Sequence, residues 1–200
     1  MTQSFSQLEQ DVWVIETLDN KRNGIFVDVG CASPFLINNT AMLEMYYGWR
    51  GIGIDLEPFN GYYYTEKSLE TIHGVDKQKQ AKKILSDLSL QTWKTRKNTK
   101  VYEEDAINFD YSKAFKDNNF PAVIDYLSVD LEPPDATLEC LLNIPFDEYK
   151  FRCITFETDE YREGGESRVL KSREYLTSKG YRMVKQVEYI DEYYVYDGEL

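Results

Sequence analysis

Short, nearly continuous apolar runs that end in an acid or a glycine recur along the chain. Ile25-Phe26-Val27-Asp28-Val29-Gly30 and Gly51-Ile52-Gly53-Ile54-Asp55 are the first two. Each is too short for a buried helix, and unbroken hydrophobicity is what a strand covered on both faces requires. Between them, Asn39 to Gly48 carries Met42, Leu43 and Tyr46 as an apolar side, with Gly48 placed to end a helix. Strand, loop, helix and strand in that order put the two strands side by side through a right-handed crossover.

The alternation extends in both directions. Upstream, Ser6-Gln7-Leu8-Glu9 fits a capping box, and Leu8, Val12, Ile15 and Leu18 share one face, predicting a helix from about residue 6 to about residue 20. Downstream, Asp76 is placed to cap a helix bearing Ala81, Ile84, Leu85 and Leu88, a strand lies near Val101, and Ala122 to Leu131 is the strongest strand signal in the chain. Asp135, approached by Pro133-Pro134, is expected to cap a helix carrying Leu138, Leu141 and Leu142. Phe151 to Phe156 reads as a strand; Val169, Leu170, Arg173 and Leu176 mark a helix that stops at Gly180. Tyr181 to Val187 and Glu192 to Tyr196 then leave no room for a helix between them, so they form a hairpin. An antiparallel ending on a run of βα units is typical of the doubly wound, Rossmann-like class I methyltransferase fold, whose mostly parallel sheet has the order 3-2-1-4-5-7-6.

Composition narrows the partners. With 200 residues, 42% hydrophobic and 29% charged, the chain is expected to form a single domain, 1–200, with a variable helical insertion at about 59–99. A formal net charge of -12 disfavours nucleic acid, which calls for clustered Lys and Arg, and favours a small-molecule substrate such as a neutral sugar. The Lys and Arg residues between Lys77 and Lys100 alternate with apolar ones and read as a solvated helix face. Cys31, Cys140 and Cys153 make neither a disulfide framework nor a zinc signature, which predicts a reducing, cytoplasmic setting. The N-terminus has no basic start and no apolar run, so no signal peptide and no membrane span are expected. A monomer or homodimer is anticipated.

The first strand leads into Asp28-Val29-Gly30-Cys31-Ala32-Ser33, and the turn beyond such a strand is where doubly wound sheets bind ligands. The dinucleotide fingerprint needs three glycines and this loop has one, whose role would be to let backbone approach an adenosine. S-adenosylmethionine, with a sulfonium, an ammonium, a carboxylate and two ribose hydroxyls, suits an acid beside an open loop better. Asp28 would face its methionine end, and Asp55, 27 residues on, would accept from the ribose, with Glu57 a close rival. An ordinary strand-ending turn is the plain alternative.

Several motifs in order make the chain recognisable. Ser6-Gln7 with Gln10-Asp11, Phe26-Val27-Asp28-Val29-Gly30, Asn39-Thr40 with Leu43-Glu44, Gly48-Trp49-Arg50-Gly51-Ile52 and Asp125 to Glu132 resemble the FkbM-type methyltransferase family. Ile144-Pro145-Phe146, Tyr149-Lys150-Phe151 and Ile154-Thr155-Phe156-Glu157 extend the resemblance. It implies an S-adenosylmethionine-binding fold and O-methylation of sugars or other small natural products. Carried over, it places Asp28, Gly30 and Ala32 in the cofactor loop, Asp55 at the ribose, Asp105-Ala106 at the adenine, and Asp130 and Glu132 closing the site. The chain departs from the family at Pro133-Pro134, where a glycine is common, at Cys31 and Ser33-Pro34 in the first loop, and at Thr158-Asp159.

Methyl transfer to a hydroxyl benefits from alignment and from a general base. Glu132 and Asp130 are the first candidates, with Glu157 third, because all three end strands at the cofactor edge. Two acids two residues apart on a strand share a face, where mutual repulsion would raise one pKa; helix capping or metal binding is the alternative. His73, the only histidine, reads as a surface residue, which rules out a histidine metal cluster. Tyr62-Tyr63-Tyr64, Tyr46, Tyr47 and Trp49 read first as packing and second as a ring-stacking surface, and Cys31 as a small packing residue. Phe59 to Lys100 and Thr158 to Gly165 are candidate covers for the substrate. A protein that keeps the cofactor site without transferring a methyl group is the second functional class.

Overall fold

The apolar runs become the inner strands of one sheet. In the computed structural model, which describes residues 4–58, 79, 82 and 92–199, the elements are α1 (Gln10–Thr17), β1 (Ile25–Val29), α2 (Ala41–Tyr47), β2 (Arg50–Asp55), β3 (Thr99–Glu103), α3 (Tyr111–Asp117), β4 (Val123–Val129), α4 (Pro134–Asn143), β5 (Lys150–Glu157), α5 (Gly165–Ser178), β6 (Tyr181–Val187) and β7 (Asp191–Tyr196). The strand order is β3-β2-β1-β4-β5-β7-β6, as the sequence predicts. β1 pairs in parallel with both β2 and β4, and β5 takes β7 antiparallel on its far side. The central strands are buried along nearly their whole length, whereas β6, at the edge, is exposed along most of its own.

In-register neighbours in a sheet point to the same face, so the register sorts the core into two halves. Val27, Val29, Leu127, Val129, Ile154 and Phe156 face the larger cluster, which includes Phe115, Leu141 and Leu176 from α3, α4 and α5. Phe26, Tyr126 and Cys153 face the other side, where Val14 and Ile15 of α1, Met42 and Leu43 of α2, and Trp49 pack. The Trp49 indole lies so close over Gly24 that a Cβ there would be 2.6 Å from the ring, and its Nε1 donates to Lys21 O at 2.9 Å.

Local details correct several expectations. The first helix begins at Gln10 rather than Ser6, because Ser6 Oγ donates to Asp11 Oδ1 (2.8 Å) instead of closing a capping box, while Glu9 takes a left-handed φ of 63°. Asp11 collects donors from Ser4 Oγ, Phe5 N and Ser6 Oγ, folding residues 4–8 back across the start of α1. Asp135 is not a cap: Pro133 holds that position, and Asp135 sits in the first turn of α4, paired with Arg168 at 3.1 Å. The faces of α4 and α5 are rotated from the expected ones, leaving Leu142 and Leu170 exposed and burying Thr137, Cys140, Arg168 and Ser172. Tyr46 is likewise exposed.

α3 is an element that the sequence reading missed. Tyr111, Ala114 and Phe115 supply its buried face at helical spacing, and the Asp110 side chain caps it by accepting from Lys113 N at 2.9 Å. The helix expected around Ala81 to Leu88, the tyrosine run 62–64 and His73 lie outside the described residues. Lys79 and Lys82 are helical and exposed, in keeping with a solvated face, but Arg96 in the same basic stretch is buried. Among the described residues no helix is long and apolar enough to cross a membrane.

The rotation of α4 is directly testable. Leu141→Ala empties a fully buried site and is expected to cost about 2–5 kcal/mol, whereas Leu142→Ala, on an exposed side chain, stays within about 0.5 kcal/mol. Urea unfolding of the two variants reads the difference; equal losses would mean that the face is wrongly assigned.

Candidate functional site

Across the middle of the sheet, the side facing α1 and α2 changes chemistry row by row. Phe26, Tyr126, Cys153 and Val195 are in register and largely apolar. The next row toward the C-terminal edge is Asp28, Ser128, Thr155 and Tyr193, every one with a polar group. Beyond it, Glu157 pairs with Asp191, and Asp130, two residues past Ser128, extends the β4 ladder by donating its N–H to Val29 O at 3.0 Å. A carboxyl row of Asp130, Glu157 and Asp191 therefore crowns a hydroxyl row, and both continue the line of Asp28 and Gly30.

The first loop is built around Asp28. Its Oδ2 accepts from Thr40 Oγ1 at 2.7 Å and from Asn38 Nδ2 at 3.3 Å. Asn38 Nδ2 also donates to Cys31 O (3.1 Å) and Ser33 O (2.9 Å), which ties the turn to the strand that precedes it. Burial pushes Asp28 up to about 6, against the lowering effect of the Thr40 hydroxyl and the Arg96 guanidinium. Ala32 and Ile37 hold φ values of 38° and 51°, left-handed backbone that a β-branched residue rarely adopts.

Gly30 makes room for backbone from within the chain itself. At φ 79°, a Cβ would lie 1.6 Å from Asp130 O, so the space the glycine leaves is taken by the backbone of the fourth strand's exit. Cys31 packs its Sγ against Gly53 and is fully buried, which pushes its thiol well up and fits the packing role expected for it.

Asp55 links the first two loops. Its Oδ2 accepts from Ala32 N and its Oδ1 from Glu57 N, both at 2.9 Å. A carboxylate offers about four acceptor positions, so the group keeps capacity for a hydroxylated ligand. Glu57 is exposed and enters the site only through its backbone. Asp105, after β3, is exposed and turns back on its own loop, accepting from Ile107 N and Asn108 Nδ2. Ala106 is buried, its carbonyl accepting from Tyr111 O–H at 2.8 Å.

The three candidate bases separate. Asp130 and Glu157 come together: desolvation and their mutual repulsion push Glu157 far up, and burial raises Asp130 as well. Among the described residues, Glu157 Oε2 is buried with no hydrogen-bond partner. Glu132 does not join them. The ladder ends at Asp130, so the alternation rule no longer applies two residues later, and Glu132 lies exposed in an ion pair with Arg162 Nη1 at 2.7 Å.

Two acids that the sequence reading left out stand beside the pair. Asp159 is buried and bound to the same Arg162 Nη1 at 2.8 Å. Asp191 accepts from Gln10 Nε2 at 2.5 Å and is pushed up to about 8, by burial first and by Asp130 second. Its place opposite Glu157 follows from hairpin register, which the sequence alone does not set. Thr158 to Gly165, expected as a cover, is held from below: Thr158 N donates to Ile190 O, and the Arg168 guanidinium donates to Glu163 O and Asp159 O. Among the described residues no group of three or more His, Cys, Asp or Glu side chains is arranged to hold a metal ion.

The raised value of Asp191 fixes the sign of a pH effect. Its contribution to stability is complete below the ordinary 3.8 and is lost as pH rises through about 8. Asp191→Asn, which keeps an acceptor for Gln10 and cannot ionise, is expected to be more stable than the native chain by about 1 kcal/mol or more near pH 8 and equal to it near pH 4. Urea midpoints at the two pH values measure this, and an identical difference at both would refute it.

No family model and no curated relative matches the chain. Solved structures match over nearly all of it. A Clostridium thermocellum protein, provisionally described as an rRNA-methylase, is 17% identical over 98% of this chain and 97% of its own, with a TM-score of 0.53. CalS11, described as a TDP-rhamnose 3'-O-methyltransferase of calicheamicin biosynthesis, is 15% identical over 96% of this chain and 79% of its own, at 0.55. The METTL16 methyltransferase domain is 13% identical over 97% and 68%, at 0.52. At such identities the likeness is one of fold, and together with the strand order it makes the chain a class I, Rossmann-like methyltransferase fold.

Proposed function

We propose that the protein is an S-adenosylmethionine-dependent methyltransferase acting on the hydroxyl of a small acceptor, a sugar or related natural product. The carrying observation is the graded edge of the sheet: hydroxyl and carboxyl rows converge beside a loop whose one buried cation, Arg96, already has five acceptors around its five N–H groups. Such a site has acceptors for an ammonium, a sulfonium and ribose hydroxyls, and no unused donor on that guanidinium for a pyrophosphate. The unpaired Glu157 Oε2 fits the same chemistry, because a buried carboxyl oxygen without a partner gains from a nearby cation or donor.

In this reading Asp28 takes the ammonium end, Asp55 the ribose hydroxyls, and Asp105-Ala106 the adenine side, with Gly30 and Ala32 shaping the loop between them. The bound cofactor supplies an electrophilic methyl group. An acceptor hydroxyl seated at the carboxyl row gives its proton to Asp130, whose neighbour Glu157 is pushed up by burial first and by Asp130 second and so favours the neutral form. Glu132 and Arg162 join the two loops at the mouth and position rather than react. The resemblance to FkbM-type enzymes supports both the cofactor and the O-linked product.

The net charge of -12 favours a small acceptor. RNA is the competing acceptor class, since one protein of this fold is provisionally described as an rRNA-methylase.

Isothermal titration with S-adenosylhomocysteine tests the cofactor site. Micromolar binding is expected, weakened at least about tenfold, or 1.4 kcal/mol, in Asp28→Ala and in Asp55→Ala. Well-folded native protein that does not bind would overturn the reading. Asp130→Asn is expected to bind S-adenosylhomocysteine as the native chain does and to slow transfer from labelled donor about 10²–10⁴-fold; unchanged transfer would remove Asp130 from the chemistry.

A further inference from the structure

Arg96 lies just before β3, far from Asp28 in sequence, yet the two are joined through single residues. Its Nη2 donates to Thr40 Oγ1 (3.1 Å), and that hydroxyl donates in turn to Asp28 Oδ2 (2.7 Å). Its Nη1 donates to Asn38 Oδ1 (3.1 Å), and the amide of the same residue donates to Asp28. The remaining N–H groups reach Pro34 O, Thr99 Oγ1 and Glu44 Oε2. The guanidinium is thus buried, fully hydrogen-bonded, and stacked within 6 Å of the Phe26, Phe35 and Trp93 rings.

We propose that Arg96 is a positioning residue for the cofactor loop: through Thr40 and Asn38 it orients the Asp28 carboxylate and keeps it charged where the cationic end of the cofactor binds. This rests on the assignment of Asp28 to the cofactor site. The wiring is directional. Thr40 has one hydroxyl proton, and because Arg96 can only donate to that oxygen, the proton goes to an acceptor: Asn38 Oδ1 lies at 3.0 Å, but the charged Asp28 Oδ2 is nearer, at 2.7 Å, and is the stronger acceptor. Asn38 is fixed likewise: its oxygen takes the guanidinium and its nitrogen faces Asp28. Either contact favours the ionised carboxyl over the neutral one.

The charged and titratable groups around Asp28 define what competes. Asp130, beyond β4, opposes its ionisation, and Arg96 favours it. Cys31 in the same loop and Tyr126 on β4 are neutral neighbours whose own burial pushes them up. Glu44 on α2 tempers the Arg96 charge through their 2.6 Å ion pair. With the carboxyl already lifted to about 6, loss of the Arg96 relay moves it further up, toward neutrality.

The test follows the Asp28 carboxyl by carbon-13 NMR and S-adenosylhomocysteine affinity by calorimetry, each from about pH 5 to about pH 8. Arg96→Gln alone would strand Glu44, so the variant of choice is Glu44→Gln with Arg96→Gln; Thr40→Val, which removes one relay atom, is the second. Both are expected to raise the Asp28 midpoint. Their affinity loss should then grow toward low pH, reaching about fivefold near pH 6 and about tenfold near pH 5 for a midpoint displaced by one pH unit. Thr99→Val, which touches Arg96 and Glu44 but not Asp28, should lower thermal stability and leave the midpoint in place. An Asp28 midpoint unmoved in both relay variants, or an affinity loss equal at every pH, overturns the proposal. The NMR titration needs no ligand, so if the native chain fails to bind S-adenosylhomocysteine, the methyltransferase reading falls while the relay is still decided.

Discussion

The buried Arg96–Glu44 pair is the constraint on which the candidate site depends. Removing two charges from water costs several kcal/mol per ion, and their attraction offsets this only where geometry is good and every remaining donor is satisfied. Here that condition is met: five N–H groups meet five acceptors, and Glu44 also takes Asn98 N and Thr99 Oγ1. The acceptors come from the loop after β1, from α2 and from the start of β3, so the pair closes three separate segments around one cation. Left-handed backbone at Ala32 and Ile37 persists because these bonds surround it.

A second constraint runs along the sheet. One face passes from apolar to hydroxyl to carboxyl within three rows, and the last row gathers acids whose proximity opposes their ionisation. Stability favours their neutral forms, while binding a cation or accepting a proton favours charged ones. The sheet edge therefore holds free energy that a cationic ligand would release, the usual relation between a strained site and a scaffold stable enough to carry it. Apolar packing supplies that scaffold on the other face, where Phe115 touches Phe120, Tyr149 and Phe151.

The parallel core was legible in the sequence because strands buried on both faces must be apolar throughout, and the terminal hairpin because too few residues separate its strands for a crossover. Helix faces were less legible. Cys140 and Thr137 are buried in place of Leu142, since small side chains fit the close approach of α4 to the sheet and hydropathy alone does not register fit. α3 carried the right spacing and cap at Asp110 to Phe115, but it is only seven residues long and, unlike the equally short α2 that Gly48 ends, it has no glycine stop to mark it. At the site, Asp28, Asp55, Asp130 and Glu157 were visible as acids ending strands. Arg96, Asn38, Thr40 and Asp191 were not, because their roles arise from contacts between residues far apart in the chain, and a buried arginine inside a basic stretch looks like its exposed neighbours.

The same contrast separates what the fold determines from what it leaves open. The end proposed for the cofactor is fixed by backbone geometry: Gly30 admits no side chain because the Asp130 carbonyl occupies its place, and Asp55 pins Ala32 to the turn after β2. The end proposed for the acceptor is held by side chains on loops, with Arg162 bridging Glu132 to Asp159 and Arg168 fastening Asp135 to the segment after β5. Exposed ion pairs such as that between Arg162 and Glu132 contribute little to stability, so their partners can change without unfolding the sheet. Side chains at these loops can therefore change while the Asp28–Arg96 network of this chain is left untouched, in keeping with a fold that does not by itself dictate the acceptor.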